Sequence, residues 1–294
     1  MIPRSFEYHD PESLQETLAL VGEHGDEAKL MAGGMSLLPM MKLRLASPAH
    51  IVDLWRVSDM AYIKDAGRHL AIGGKTTHHT LATSTLLRDA CPILAEAASV
   101  VGDPQIRNLG TIGGSLAHAD PAADYLPVMV ALGAEFTLKS KDGERKITAK
   151  DFFMDLLTTA LRPTEVLTEV RVPRLQNGIG SAYLKLSRRA TDFALVGVAV
   201  IGRLSKGGTC AGLDVVLGGM GPIPVRARGV EEALKGNRPQ AKQLDDASQQ
   251  APDGLTPPSD VHADAAYRTE VSKVYVRRAL ERAFARAQSK EAGR

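Results

Sequence analysis

Cysteine is almost missing from this chain, with two in 294 residues, Cys91 and Cys210. Iron–sulfur clusters and closed zinc sites need three or four convergent ligands, so two distant cysteines build neither. They read instead as buried thiols, and any metal redox centre working with this protein sits on another chain. Aromatic residues make up only 4%, which removes the stacking platforms that single-stranded nucleic acid requires. Neither sign of charge dominates: 36 Lys and Arg stand against 34 Asp and Glu, a net of +2. That balance argues against nucleic acid and against an anionic membrane surface. The apolar runs, such as 193–201, fall far short of the ~20 residues a membrane-crossing helix takes. The opening Met1-Ile2-Pro3-Arg4-Ser5 lacks the apolar core of a secretory signal. These absences predict a cytoplasmic protein with no transmembrane segment. What remains is ordinary globular composition, 44% hydrophobic and 24% charged, in a length that suits one large domain or two to three small ones.

Two glycine-paired segments stand out against this background. One reads Ala32-Gly33-Gly34-Met35-Ser36 and the other Thr111-Ile112-Gly113-Gly114-Ser115. Adjacent glycines admit positive φ and let backbone N–H groups approach a ligand closely. Successive N–H groups in such a turn form an anion nest, so two nests could hold the two phosphates of a dinucleotide without a lysine.

Periodicity and punctuation organise the rest. Asp10-Pro11 reads as an N-cap with proline at the first helical position, ahead of a helix with Leu14, Leu18 and Val21 on one face that ends near Gly25. Strands at 28–31 and 51–54 complete a first unit, residues 1–56. A second unit, 57–177, holds a strand at 69–72, helices at 81–88, 92–101 and 122–132, a hairpin around Asp142-Gly143, and a strand at 165–172. A third, 178–294, holds strands at 183–186, 194–203 and 212–217, a helix leading out of 224–234, a poorly ordered loop over 239–258, and a long helix over 267–288. In that last helix Val271, Val274, Tyr275, Arg278 and Leu280 mark the half-apolar face. Gly33, Gly73 and Gly113 recur every 40 residues, but their flanks do not match and no repeat follows.

Several motifs fail on inspection. Gly74-Lys75-Thr76 looks like the end of a phosphate-binding P-loop, but His69 occupies the position of the required first glycine. No G-x-G-x-x-G fingerprint occurs. His78-His79, or His118 with Asp120 and Asp124, could suggest a metal, yet Asp120 as N-cap with Pro121 at the first helical position accounts for two of these without one. No metal ligand set and no catalytic triad or general base is expected.

With both glycine segments placed, the chain resembles the flavin-binding medium subunits of the molybdenum hydroxylases, the xanthine dehydrogenase and carbon monoxide dehydrogenase family. The resemblance runs over residues 3–285. It is carried by AGGMSLLPMMKLR at 32–44, IGGKTTHHTL at 72–81, IRNLGTIGGSLAHADPAADYLP at 106–127 and SRRATDFALVGVAV at 187–200. It implies an α+β protein. Two N-terminal subdomains would form an FAD-binding fold of the vanillyl-alcohol-oxidase type, followed by a C-terminal domain with an antiparallel sheet and helices. It implies non-covalent FAD, with residues 32–36 and 111–115 at the diphosphate, Asp124 near the second segment, Leu167 and Lys185 close to the flavin, and Phe193 a lid on the loop 188–193. Read without the resemblance, Leu167 is a core strand residue and Lys185 a solvated surface lysine. The implied partners are a large subunit bearing the molybdenum cofactor and a small subunit bearing [2Fe–2S] clusters, as a heterotrimer or its dimer. The FAD would take electrons from those clusters and hand them to an external acceptor.

Two departures matter. Ser115 stands where the family usually has asparagine, and Met35 where it often has a polar residue. Loss of one neutral hydrogen bond would weaken FAD binding by about 1 kcal/mol. Ser115 also keeps open an FAD-free structural or assembly subunit, and a free-standing flavin reductase is the third reading.

Overall fold

The computed structural model describes residues 2–292; Met1, Gly293 and Arg294 lie outside the described residues. The chain opens with β1 (Glu7–His9), α1 (Leu14–His24), β2 (Ala28–Met31), α2 (Leu37–Lys42) and β3 (His50–Asp53). The three strands form a parallel sheet in the order β1-β3-β2. Parallel neighbours need crossovers, and α1 and α2 supply them. Leu14, Leu18 and Val21 of α1 pack with Ala28, Val52 and Leu54. The N-cap is Ser13 rather than Asp10: its hydroxyl accepts from the Glu16 N–H, while the Glu16 carboxylate accepts from the Glu12 N–H. Ser13-x-x-Glu16 is a capping-box pattern, and it outranks the Asp-Pro pair one turn upstream.

Next come β4 (Ile63–Asp65), β5 (His69–Gly73), α3 (His78–Thr83), α4 (Thr85–Ala90), α5 (Pro92–Ser99), α6 (Pro104–Leu109), α7 (Ile112–His118), α8 (Tyr125–Leu132), β6 (Glu135–Ser140), β7 (Gly143–Thr148), α9 (Ala149–Phe152), β8 (Phe153–Asp155), β9 (Thr158–Thr159) and β10 (Val166–Pro173). An antiparallel sheet β4-β5-β10-β6-β7 results, with Ile72, Phe136, Leu138 and Val170 packed against Ile93, Leu94, Tyr125 and Met129 of the helices. Two expectations change here, and one helix is added. The helix at 81–88 is two helices, parted at Ser84, whose hydroxyl caps the second by accepting from the Leu87 N–H. Asp103-Pro104 starts a helix, because the Asp103 carboxylate accepts from the Ile106 N–H. Asp120 caps no helix: it accepts from the Ala122 N–H two residues on, closing an Asx turn, and α8 begins only at Tyr125.

The last third is an antiparallel meander, β11 (Ile179–Leu186), β12 (Val196–Leu204), β13 (Cys210–Gly218) and β14 (Val225–Arg226), covered by α10 (Arg228–Leu234), α11 (Ala241–Ser248) and α12 (Ala265–Ala292). The helix α12 lies on the sheet so closely that a Cβ on Gly180 would come within 1.8 Å of the Ala283 carbonyl oxygen. Its buried face is Ser272, Val276, Ala279, Leu280, Ala283 and Ala287; Val274 points outward at 39% exposure. Of the Gln- and Asp-rich stretch 239–258, residues Ala241–Ser248 form α11, with Leu244 and Ala247 buried against this core, while 249–258 hold turns and no regular element, with Ala251 buried among them. Cys91 and Cys210 are both buried and neither is in a disulfide. Among the described residues no helix is long and apolar enough to cross a membrane.

Candidate functional site

The first glycine segment is a turn between β2 and α2. Gly34 sits at φ +70°, where a side chain is strained. Gly33 lies against the end of α6, where an added Cβ would stand 2.0 Å from the Leu109 carbonyl oxygen. Among the described residues, the N–H groups of Gly33, Gly34, Met35 and Ser36 meet no acceptor, and the Ser36 hydroxyl caps nothing. Four consecutive unpaired donors on a half-buried turn offer what an anion would need.

The second segment is built differently. It is not a loop but the first turn of α7, capped by the Thr111 hydroxyl, which accepts from the Gly114 N–H. The Ile112 N–H donates to Thr76, the Gly113 N–H to Gly74 and the Ser115 N–H to Thr111. Its N–H groups from Ile112 to Ser115 are therefore already engaged, and it is no nest in the sense of the first. Its glycines serve close packing: a Cβ on Gly113 would come within 2.5 Å of the Gly74 carbonyl oxygen, and one on Gly74 within 2.2 Å of that of Leu167. What this segment offers a ligand is the exposed Gly114 and the Ser115 hydroxyl, which has no partner among the described residues.

Both segments line one cleft of about 610 Å³, between the first sheet, α7 and the arm joining β11 to β12. It gathers Ala32, Gly33, Gly34, Met35, Ser36, Thr111, Gly113, Gly114, Ser115, Asp124, Leu167, Lys185 and Phe193. Ile112 does not reach it; that side chain is fully buried in the core. Sequence reasoning missed Lys29, Val101 and Arg162, which also line the cleft, as does His118, weighed there only as a metal ligand; nearness to a glycine segment could have flagged Lys29, but nothing local marks Arg162.

Lys185 is no surface lysine. Its side chain is 5% exposed and its Nζ lies 3.0 Å from Asp124 Oδ2, itself on a side chain 4% exposed. Tyr183 donates its hydroxyl to Asp124 Oδ1 at 2.7 Å, and Lys185 also donates to the Val100 carbonyl. Burial pushes the Asp124 carboxyl up from its ordinary value, against the pull of Lys185 and Tyr183. The arm 188–193 stands at the mouth, its base closed by the Leu195 N–H on the Leu186 carbonyl. Phe193 on this arm is 60% exposed and borders both this cleft and a neighbouring one of about 730 Å³.

His78 supports the floor. The Tyr125 hydroxyl lies 2.9 Å from its Nδ1, and a Cβ on Gly110 would come within 2.7 Å of its Nε2. Burial, assisted by Arg107, lowers its pKa from 6.5 to about 4. An unfolded histidine takes a proton below about pH 6.5, whereas His78 refuses one until about pH 4, so the unfolded chain binds more protons in that window. The stability His78 contributes is thus present above pH 6.5 and is lost as pH falls towards 4, by about 3 kcal/mol in all. Urea titrations at pH 7 and 4.5 should show an acid loss that shrinks by about that amount in His78→Gln; an equal loss in both proteins would refute the assignment.

Known proteins match the chain over nearly its whole length. Residues 4–175 match the FAD binding domain in molybdopterin dehydrogenase, and residues 181–283 the CO dehydrogenase flavoprotein C-terminal domain. The chain is 40% identical to the carbon monoxide dehydrogenase medium chain of Hydrogenophaga pseudoflava over 97% of its own length and 99% of that protein's. It is 39% identical to the 6-hydroxypseudooxynicotine dehydrogenase complex subunit alpha of Paenarthrobacter nicotinovorans, covering 98% and 97% of the two chains. Among solved structures, a chain of carbon monoxide dehydrogenase from Hydrogenophaga pseudoflava superposes with a TM-score of 0.93 at 41% identity, over 97% of this chain and 99% of that one.

Proposed function

The chain belongs to the FAD-binding medium subunits of the molybdenum-containing dehydrogenases, and from that premise we propose that it is the electron-transfer subunit of such a complex. It would receive electrons from [2Fe–2S] clusters on a small partner chain, pass them to an external acceptor, and leave substrate oxidation to a large chain with the molybdenum cofactor. The observation that carries the reading is the row of unpaired N–H groups at 33–36, opening into the cleft that also holds the Asp124–Lys185 pair. FAD, when bound, supplies the conversion between one- and two-electron steps.

This chain's residues bind and orient. Gly33 to Ser36 would donate to the diphosphate, and the hydroxyls of Ser36 and Ser115 would add two donors for which no protein acceptor competes. Leu167 closes one wall and Phe193 shields the mouth. Lys185 is fixed by Asp124 and Val100, so its charge stays in place rather than sampling solvent. No residue of this chain has to act as a general base on substrate, because substrate oxidation is left to the large chain, and the protons that two-electron reduction of a flavin takes up would come from solvent at the cleft.

The test is flavin stoichiometry on the full chain: one FAD per chain, released on heat denaturation and taken up again by the apoprotein. A complex fully loaded with molybdenum and iron, yet unable to take up flavin, would instead support the purely structural role. NADH oxidation by the isolated chain would support the free-standing reductase. Ser115→Asn should tighten FAD binding about fivefold, the equivalent of one restored neutral hydrogen bond of about 1 kcal/mol; unchanged affinity would show that Ser115 makes no such contact.

A further inference from the structure

Three histidines that take no part in the cleft converge at the other end of the first sheet. His50 opens β3 and stands opposite Glu7 of β1, and His9 lies two residues beyond Glu7. Strand residues two apart share a face, so Glu7, His9 and His50 project to one side. The same side carries Val52, which packs with Val21 of α1, so α1 covers this face. His24 is the last residue of α1, and Gly25 at φ +50° turns the chain away immediately after it. The result is a half-buried cluster in which one ligand nitrogen from each histidine lies within 4.8 Å of the others.

We propose that His9, His24 and His50 bind one divalent transition-metal ion of the zinc class, with Glu7 as the fourth ligand. Imidazole nitrogen and carboxylate oxygen are the donors this borderline class selects. His9 Nε2 and His50 Nδ1 are 3.1 Å apart. Two nitrogens on a tetrahedral zinc, with bonds of about 2.0–2.1 Å, are held about 3.3 Å apart, so the ion would replace the proton these two share with little change in spacing. Glu7 Oε2 lies 3.4 Å from His50 Nδ1, within reach of the same ion. The His24 ring is stacked on that of His50, centroids 3.8 Å apart and planes within 9°. One ion on both therefore requires the two rings to splay by rotation about their Cβ–Cγ bonds. The cluster lies at the N-terminal ends of β2 and β3, whereas the anion-binding turn follows the C-terminal end of β2. A metal here ties β1, α1 and β3 together without touching the cleft.

Zinc and cobalt titrations of the full chain, stripped with chelator, test this. The wild type should bind one equivalent, show the visible bands of tetrahedral Co2+, and rise in melting temperature by about 5 °C at hundredfold excess over its dissociation constant. His24→Leu and the pair His9→Gln/His50→Gln should lose the equivalent, the bands and the shift, while keeping their flavin content. His79→Gln, an exposed control on α3, should keep all three. Equal binding by the wild type and His24→Leu, octahedral cobalt spectra only, or no bound equivalent would each overturn the proposal. Because flavin content is read separately, its failure would leave the electron-transfer assignment standing, and the converse holds.

Discussion

Gly33→Ala should yield a protein that purifies without flavin and binds added FAD at least about a hundredfold more weakly, with about 3 kcal/mol of stability lost. The added methyl would stand 2.0 Å from the Leu109 carbonyl oxygen, and the atoms it meets are backbone on both sides. No rotamer change relieves such a contact; either the turn at 32–36 or the end of α6 must move by more than an ångström. That movement redirects the unpaired N–H groups of Gly33 to Ser36 on which the proposed diphosphate contact rests. Two neighbours grade the effect. Gly34→Ala meets the flexible Leu38 side chain at 2.8 Å and a left-handed backbone, so it should cost about 1–2 kcal/mol with a smaller loss of affinity. Gly67→Ala is left-handed too, with nothing within 4 Å, and should cost a similar amount of stability with flavin retained. Isothermal titration with FAD and urea melts read both quantities. Flavin affinity unchanged in Gly33→Ala would place the diphosphate elsewhere.

The same contacts explain why the sequence was informative about location and less so about mechanism. Paired glycines line the wall of the cleft, and a backbone crossing at van der Waals distance and a turn that leaves its N–H groups free both demand glycine. They could not be told apart by composition. Gly33 and Gly34 keep their N–H groups free, whereas Gly113 gives its N–H to Gly74, and that pairing exists only once β5 and α7 meet. The start of α7 was hidden for a related reason: two glycines argue against a helix, and the Thr111 cap with long-range bonds from Ile112 and Gly113 overrides that weak preference. The stretch after Pro239 misled in the opposite direction, since its Gln and Asp residues occupy the outer face of α11 while Leu244 and Ala247 hold the inner one. Lys185 shows the limit most clearly. Nothing around it in sequence signals burial, because its partner Asp124 lies 61 residues away on another element.

That pair carries the second large effect. Lys185→Met should lower stability by about 3–5 kcal/mol at pH 7.5, the usual consequence of stranding one member of a buried ion pair. Asp124 would keep the Tyr183 hydroxyl but lose the cation that offsets its burial, and the Val100 carbonyl would lose its donor. The pH dependence gives the cause away. Burial already raises the folded-state pKa of Asp124, and removing Lys185, which lowers it, raises it further. A carboxyl whose folded pKa lies above its unfolded value binds its proton more tightly when folded. Its stabilising contribution is complete below the unfolded pKa and disappears as pH rises through the folded one. Lys185→Met should therefore recover stability on acidification from pH 7.5 towards 5.5. Asp124→Asn/Lys185→Met, which has no carboxylate to protonate there, should begin more stable than the single variant and show no such recovery relative to wild type. Double-mutant urea titrations at the two pH values resolve these outcomes. A single variant no less stable than the double, with the same pH slope, would mean that solvent and not Lys185 neutralises Asp124.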